Sequence, residues 1–590
     1  MKRTLLAGCV VSALVFGGAG ADAADMPVKA QVAPAPTLSW TGFYFGGEVG
    51  ERSAVVDPSV TAATVTAPGF TLNVLSPATC AGLPCPGGTS LDNAAFRGGL
   101  YAGINWQVSR EWVAGIEGDF GWADRSRTLG GQMYPGGATA FALGASSFTV
   151  RTTWDASARG RLGVLVMPNV LFYGTGGASW LHVEATSNCD VTRFFSTCGL
   201  PGGFAPAVIT NSATRLGWTI GAGLEAGVGD HWLLRSEYRF ADYGTWGNND
   251  TRICAGAPCS FFTAPGLSTT LPPVVAATTA YSTRLQTHTV NFGLAYKFGD
   301  ALPAAAAPAA VMPVKATPRA EPTVSWSGPY IGGDVGTRAA VVDPSVTAAT
   351  LTSTFILPAF TNVLGTSYCG VFVPCPGPTS LDNTALRAGA YAGYNWQVSR
   401  EWLVGLEGDL GWASRSRTLG GEEYPGGSPA FIFGASSFTV KTTWDASARG
   451  RVGVLLVPDV LLYGTGGASW LHVEATSVCD ATAQVANCGI GALGGAFRSA
   501  AITNSTTRLG WTVGAGLEVN WWSHWLLRGE YRYADYGTWA NTDTRTCAGG
   551  FCNFYSGGFF NGTEPGATAR TSYGVRLQTH TVRFGLAYKL

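Results

Sequence analysis

Residues 286–298 read QTHTVNFGLAYKF, and residues 578–590, the end of the sequence, read QTHTVRFGLAYKL. In the first copy Val290, Phe292, Leu294, Tyr296 and Phe298 occupy alternate positions, and Thr289, Asn291, Gly293, Ala295 and Lys297 lie between them. A period of two is a strand, with large apolar side chains on one face and small or polar ones on the other. A soluble sheet can carry that pattern. Its position at the end of each of two similar halves favours a strand that closes a membrane barrel. Such a sheet must pair its last strand with its first, because an open edge in lipid leaves backbone groups unbonded.

The halves are copies. Residues 40–298 and 326–590 match along their length: TTWDASARGR stands at 152–161 and 442–451, and GTGGASWLHVEATS at 174–187 and 464–477. MPVKA occurs at 26–30 and again at 312–316, so a whole mature chain is duplicated behind one leader. The leader is read as a signal peptide over residues 1–23, with Lys2 and Arg3 ahead of an apolar run and Ala21-Asp22-Ala23 as the cleavage pattern. Residues 24–39 form a spacer, and the Ala/Pro-rich residues 299–325 an extended periplasmic linker. No later stretch approaches 20 uncharged apolar residues, so a membrane-spanning fold has to be a barrel.

Each half offers eight strand candidates. In the first half these carry Phe43, Phe45 and Val49; Leu100 to Trp106; Trp112 to Trp122; Phe148, Val150, Trp154, Ala156, Leu162 and Val164; residues 170–185; Leu216 to Leu224; Trp232 to Phe240; and the terminal segment. Connections after the second, fourth and sixth are a few residues long, and the others about twenty or more. Short periplasmic turns opposite long external loops are an outer-membrane arrangement. The expected fold is all-β: two tandem eight-stranded antiparallel transmembrane barrels, residues 40–298 and 326–590. The alternative is one sixteen-stranded porin-like ring enclosing a channel.

The faces opposite the apolar ones are charged. Glu48, Arg97, Glu117, Asp119, Arg151, Asp155, Arg159, Arg161, Glu225, Arg235, Glu237 and Arg239 are placed inward. Their second-half equivalents are Asp334, Arg387, Glu407, Asp409, Lys441, Asp445, Arg449, Arg451, Glu518, Arg528, Glu530 and Arg532. Eight strands enclose a lumen that side chains just fill, so paired charges read as a plug, with an ion-conducting constriction as the functional alternative.

Thirteen cysteines include Cys9 in the leader; the rest fall in close pairs inside Pro/Gly/Ser/Thr-rich segments. Neighbourhood suggests Cys80 with Cys85, Cys189 with Cys198, Cys254 with Cys259, Cys369 with Cys375, Cys479 with Cys488 and Cys547 with Cys552. Even numbers in close pairs fit disulfides clipping loop tips in an oxidising compartment, and the CxxC spacing of zinc sites is absent. Charge is balanced, 37 basic against 37 acidic residues, so there is no basic excess for nucleic acid.

The opening WTGFYFGGEVG, the run LRSEYRFADYG at 234–244 and the terminal NFGLAYKF resemble the outer-membrane immunogenic protein family of alphaproteobacteria. The resemblance implies small eight-stranded barrels of the OmpA type and a structural or porin-like role in the bacterial outer membrane. The ends Asn291-Gly293-Tyr296-Phe298 and Arg583-Gly585-Tyr588-Leu590 also resemble the signal read by the barrel-assembly machinery, with Leu590 in place of the usual aromatic. The expected partners are that machinery and the outer-membrane lipid with its lipopolysaccharide. No cofactor, metal or catalytic residue is expected. GxSxG, HExxH and phosphate-loop motifs are missing, and His182, His231, His288, His472, His524 and His580 read as barrel-wall histidines.

Overall fold

The computed structural model describes residues 39–73, 90–130, 134–135, 147–189, 204–229, 231–255, 259–264, 267–271, 274–298, 325–352, 380–420, 437–478, 496–497, 501–522, 524–548, 552–556, 560–564 and 568–590. The main strands of the first half are β1 (Gly42–Ala67), β2 (Asn93–Gln107), β3 (Trp112–Gly130), β4 (Ser147–Met167), β5 (Val170–Asn188), β6 (Val208–Val228), β7 (Trp232–Ala255) and β8 (Val274–Lys297). The second half repeats them as β9 (Gly328–Thr352), β10 (Asn383–Gln397), β11 (Trp402–Gly420), β12 (Ser437–Val457), β13 (Val460–Val478), β14 (Ala501–Trp522), β15 (Trp525–Ala548) and β16 (Thr568–Lys589).

All neighbours are antiparallel, and each sheet closes within its own half. Tyr296 of β8 stands opposite Trp232 of β7 on one side and Phe45 of β1 on the other. Tyr588 of β16 likewise stands between Trp525 of β15 and Ile331 of β9. There are therefore two eight-stranded rings. A sixteen-stranded ring would need β8 beside β9, but the edges of both strands are already taken.

Within each ring the alternation sorts side chains as expected. Ile116 and Leu162 point out and are more than half exposed, while Glu117 and Arg161, one residue away, are 4% exposed. Trp112 and Trp122 stand at the two ends of the apolar stretch of β3, ten residues apart, which is the length a tilted strand needs to cross lipid. Yet β1 and β7 run to 26 and 24 residues. The strands continue past the outer tryptophans into regions read from sequence as loops: β7 runs to Ala255 and β8 starts at Val274.

Above the tryptophans the polarity inverts. On β5 Leu181, Val183 and Ala185 point inward and are fully buried, whereas His182, Glu184 and Thr186 face out. A register shift between Thr152 and Asp155 carries out the change on β4; on β5 the odd positions from Tyr173 to Ala185 face inward throughout, and only their chemistry changes. The β4 shift also corrects the sequence reading of the fourth strand. Phe148 and Val150 do not share the outer face of Leu162; they lie past the bulge and are fully buried inside. An inserted residue moves every side chain beyond it to the other face.

Candidate functional site: the charged lumen

Inside the first ring the charges stack in tiers from the periplasmic end. Arg161 donates to Glu225 at 3.1 Å and to the Tyr44 hydroxyl at 2.9 Å, and its guanidinium lies 4.1 Å from the Tyr173 ring centre. Tyr44 in turn donates to Glu117 at 2.7 Å. In the next tier Arg159 donates to Glu117 at 2.6 Å and to Glu237 at 2.5 Å, and Arg235 donates to Glu117 at 2.7 Å. Above these, Arg97 is held by Glu48, Asp119 and Asp155, and Arg239 donates to Asp119 and Asp155 at 2.6 and 2.7 Å. The side chains of these pairs are 0–2% exposed.

Local sequence makes the room. A Cβ on Gly121 would lie 2.3 Å from the Arg97 guanidinium carbon, so the strand must carry glycine where that side chain crosses the lumen. Buried apolar layers lie at both ends. At the periplasmic end Trp40, Tyr44, Tyr101, Val113, Leu171, Tyr173, Leu233 and Ala295 form one cluster, and the Trp40 indole donates to the Pro168 carbonyl at 3.0 Å. At the outer end Phe148, Val150, Leu181, Val183 and Tyr281 are buried together.

The second ring reproduces this. Arg387 is shared by Asp334, Asp409 and Asp445, Arg449 bridges Glu407 and Glu530, Arg451 reaches Glu518, and Arg532 reaches Asp409 and Asp445. Arg528 donates to Glu407, and Trp326 donates to the Pro458 carbonyl at 2.8 Å. The second lumen differs in its charges where Asp334 replaces Glu48, and where Arg583 stands in place of Asn291 and bonds Glu530 at 2.6 Å.

The bulge that moved Phe148 overturns two inward placements. Arg151 faces out, 45% exposed, paired with Asp124 and Glu184, and Lys441 faces out beside Glu474. The inward place is taken by Arg52 and Arg338, which bond Asp155 and Asp445 at 2.7 Å each. The sequence reading missed both, along with Tyr44 and Tyr173, which finish the lowest tier. The histidines sit in the wall. His182 stacks on Trp154 with ring centres 5.7 Å apart, His231 stacks on Tyr296 at 5.2 Å, and His288 bonds the Tyr238 hydroxyl at 2.8 Å. Among the described residues no group of three or more His, Cys, Asp or Glu could hold a metal ion. Cys80, Cys85, Cys198, Cys369, Cys375, Cys479 and Cys488 lie outside the described residues.

Closed antiparallel rings with an apolar outer belt, flanking tryptophans and a charged interior define a transmembrane β-barrel protein of the bacterial outer membrane. The chain belongs to the outer membrane protein β-barrel domain family, whose model matches residues 11–298 and again 301–589. It is similar to the 31 kDa outer-membrane immunogenic protein of Brucella melitensis biotype 1, 29% identical over 248 residues, 41% of this chain and 88% of that protein. The 22 kDa outer membrane protein of Rhizobium leguminosarum bv. viciae is 28% identical over 251 residues, 41% of this chain and 86% of that one. Among solved structures the outer membrane protein OprG of Pseudomonas aeruginosa is matched over 45% of this chain and 97% of its own, at 11% identity and a TM-score of 0.22.

Proposed function

We propose that the protein is a structural component of the outer membrane, two sealed barrels that display loops at the cell surface, with no catalytic role. The observation that supports this is the lumen: tiers of mutually bonded arginines and carboxylates lie between two buried apolar layers, an arrangement that favours a closed interior over an aqueous path. A pore wide enough for solutes needs more strands or a lumen cleared of side chains.

The signal over residues 1–23, the tether over 299–325 and the clipped loop tips are part of the same reading. Two observations support the clips. Cys189 and Cys254 are buried at the outer ends of β5 and β7, and both are disulfide-bonded. The pairings proposed are those of sequence neighbours.

Planar-bilayer recording tests the sealed lumen. Purified protein should give no steady step whose size scales with salt concentration. A large, persistent, salt-proportional step would overturn the sealed reading in favour of a passive channel.

A further inference from the structure

The outer wall of each ring is exposed on most strands but not all. Leu216 and Leu509 are about 60% exposed, yet Leu224 on the same face of β6 is 1% and Leu517 of β14 is 2% exposed. Outward Val290 and Ser236 are 3% and 2% exposed. The other ring covers them. At the periplasmic end Val170, Leu224 and Ala226 form one buried cluster with Val460, Leu517 and Val519, their own counterparts in the repeat. At the outer end Arg127 binds Asp343 at 2.9 Å and also binds Asp382, and Arg417 binds Asp57 at 3.0 Å and Asp92 at 2.7 Å. Arg127 and Arg417 are repeat equivalents, and so are Asp57 and Asp343, and Asp92 and Asp382.

Residue i meeting j while j's equivalent meets i's is the signature of a twofold, isologous contact. The axis has a marker. Ser236 and Gly529 occupy equivalent positions on β7 and β15, and they face each other: a Cβ on Gly529 would lie 3.0 Å from the Ser236 hydroxyl and 3.5 Å from its Cβ. Small residues there let two walls approach closely. One feature departs from symmetry. Glu51 points out of the first ring, on the face of Phe96 and Val290, and is only 6% exposed. Tyr531 of the second ring donates to it at 2.8 Å, and it also contacts His580. The equivalent of Glu51 is Thr337. A carboxylate on an outer wall at this level is costly against lipid and has a use only when another wall supplies its partners.

We propose that this face, rather than the tether, holds the two barrels together. It is a self-complementary docking surface, so each half is built to pair with a second barrel of its own kind. The duplication has placed both partners in one chain, so the outer ends of their strands stand in a fixed, twofold-related array. Apolar walls alone gain little from each other over lipid. The reciprocal arginine clamps above the membrane and the Glu51 site choose the partner and the register, and the Ser236–Gly529 contact sets the spacing.

The test uses the full chain with a site-specific protease sequence placed between Ala316 and Thr317. After cutting in a non-ionic detergent, the halves should co-elute at the size of the uncut protein. With Arg127→Asp and Arg417→Asp together, which set carboxylate against carboxylate, cut halves should elute separately. Each should still show the heat-dependent gel shift of a folded barrel. Ser236→Cys with Gly529→Cys should join cut halves by a disulfide, since 3.5 Å suits the Cβ separation of such a bond. Ile116→Cys with Leu406→Cys, on exposed walls, should not. Native halves that part on cutting, or crosslinking no better at 236 and 529 than at 116 and 406, would overturn the proposal. If the double aspartate variant does not fold, the cysteine pairs decide.

Discussion

Arg97 and Arg151 separate what a single charge is worth on the two sides of this wall. Arg97 is fully buried and shared by Glu48, Asp119 and Asp155, so Arg97→Ala leaves three carboxylates short of a partner. Breaking a buried pair in this way costs about 3–5 kcal/mol. Arg151→Ala removes an exposed pair with Asp124 and should cost no more than about 1 kcal/mol. The denaturant midpoint of the folded barrel, read for the two variants, checks both figures; equal shifts would contradict the bulge. Most of the plug was legible because its members recur at spacing two: Glu117 and Asp119, Arg159 and Arg161, then Arg235, Glu237 and Arg239. Arg52 was not legible. It sits between Glu51 and Ser53, and alternation places both of those outward only if a second wall lies beyond them. The bulge at Thr153 and Trp154 left no mark either, since neither residue is a glycine or proline that would announce one.

At the scale of the strand, one continuous element serves two solvents. In the lower part of β3 apolar residues face lipid and charges face the lumen; in the upper parts of β4 and β5 apolar residues fill the interior and polar ones meet water. On β4 a register shift changes the phase, whereas on β5 the inward positions keep one phase and change from Tyr173, Thr175 and Ser179 to Leu181, Val183 and Ala185. A single hydrophobic pattern per strand, the natural sequence assumption, therefore ends each strand too early. It treats the upper part as loop because its outward face is Thr, Asn and Asp. Two substitutions locate the boundary. Ile116→Arg, midway between Trp112 and Trp122 on an exposed wall, should destabilise the barrel by about 2–4 kcal/mol, as arginine does near the bilayer midplane. Thr251→Arg, outward on the upper part of β7, should stay within about 0.5 kcal/mol. Unfolding midpoints in lipid vesicles read both, and a neutral Ile116→Arg would place the lipid belt elsewhere.

For the molecule as a whole, the sequence distinguished two rings from one but said nothing of how they meet. The duplicated terminal segment and the proline-rich stretch between the halves both argue for separate closure, and the pairing of β8 with β1 and of β16 with β9 is that closure. The contact between rings was hidden because a neighbouring wall and a lipid tail ask for the same side chains. Leu224 against Leu517 looks in sequence like Leu216 against acyl chains, and only the charged residues Glu51, Arg127 and Arg417 stood out of place. Since among the described residues every strand pairing of a ring is made inside one half, folding of a half does not depend on covalent continuity with the other. Trypsin acting near Lys315 or Arg319 should therefore yield two fragments. Each should run in unheated dodecyl sulfate as a compact band that shifts on boiling, even where that detergent has parted one barrel from the other. Fragments that lose the shift as soon as the chain is cut would mean that strands are shared between the halves.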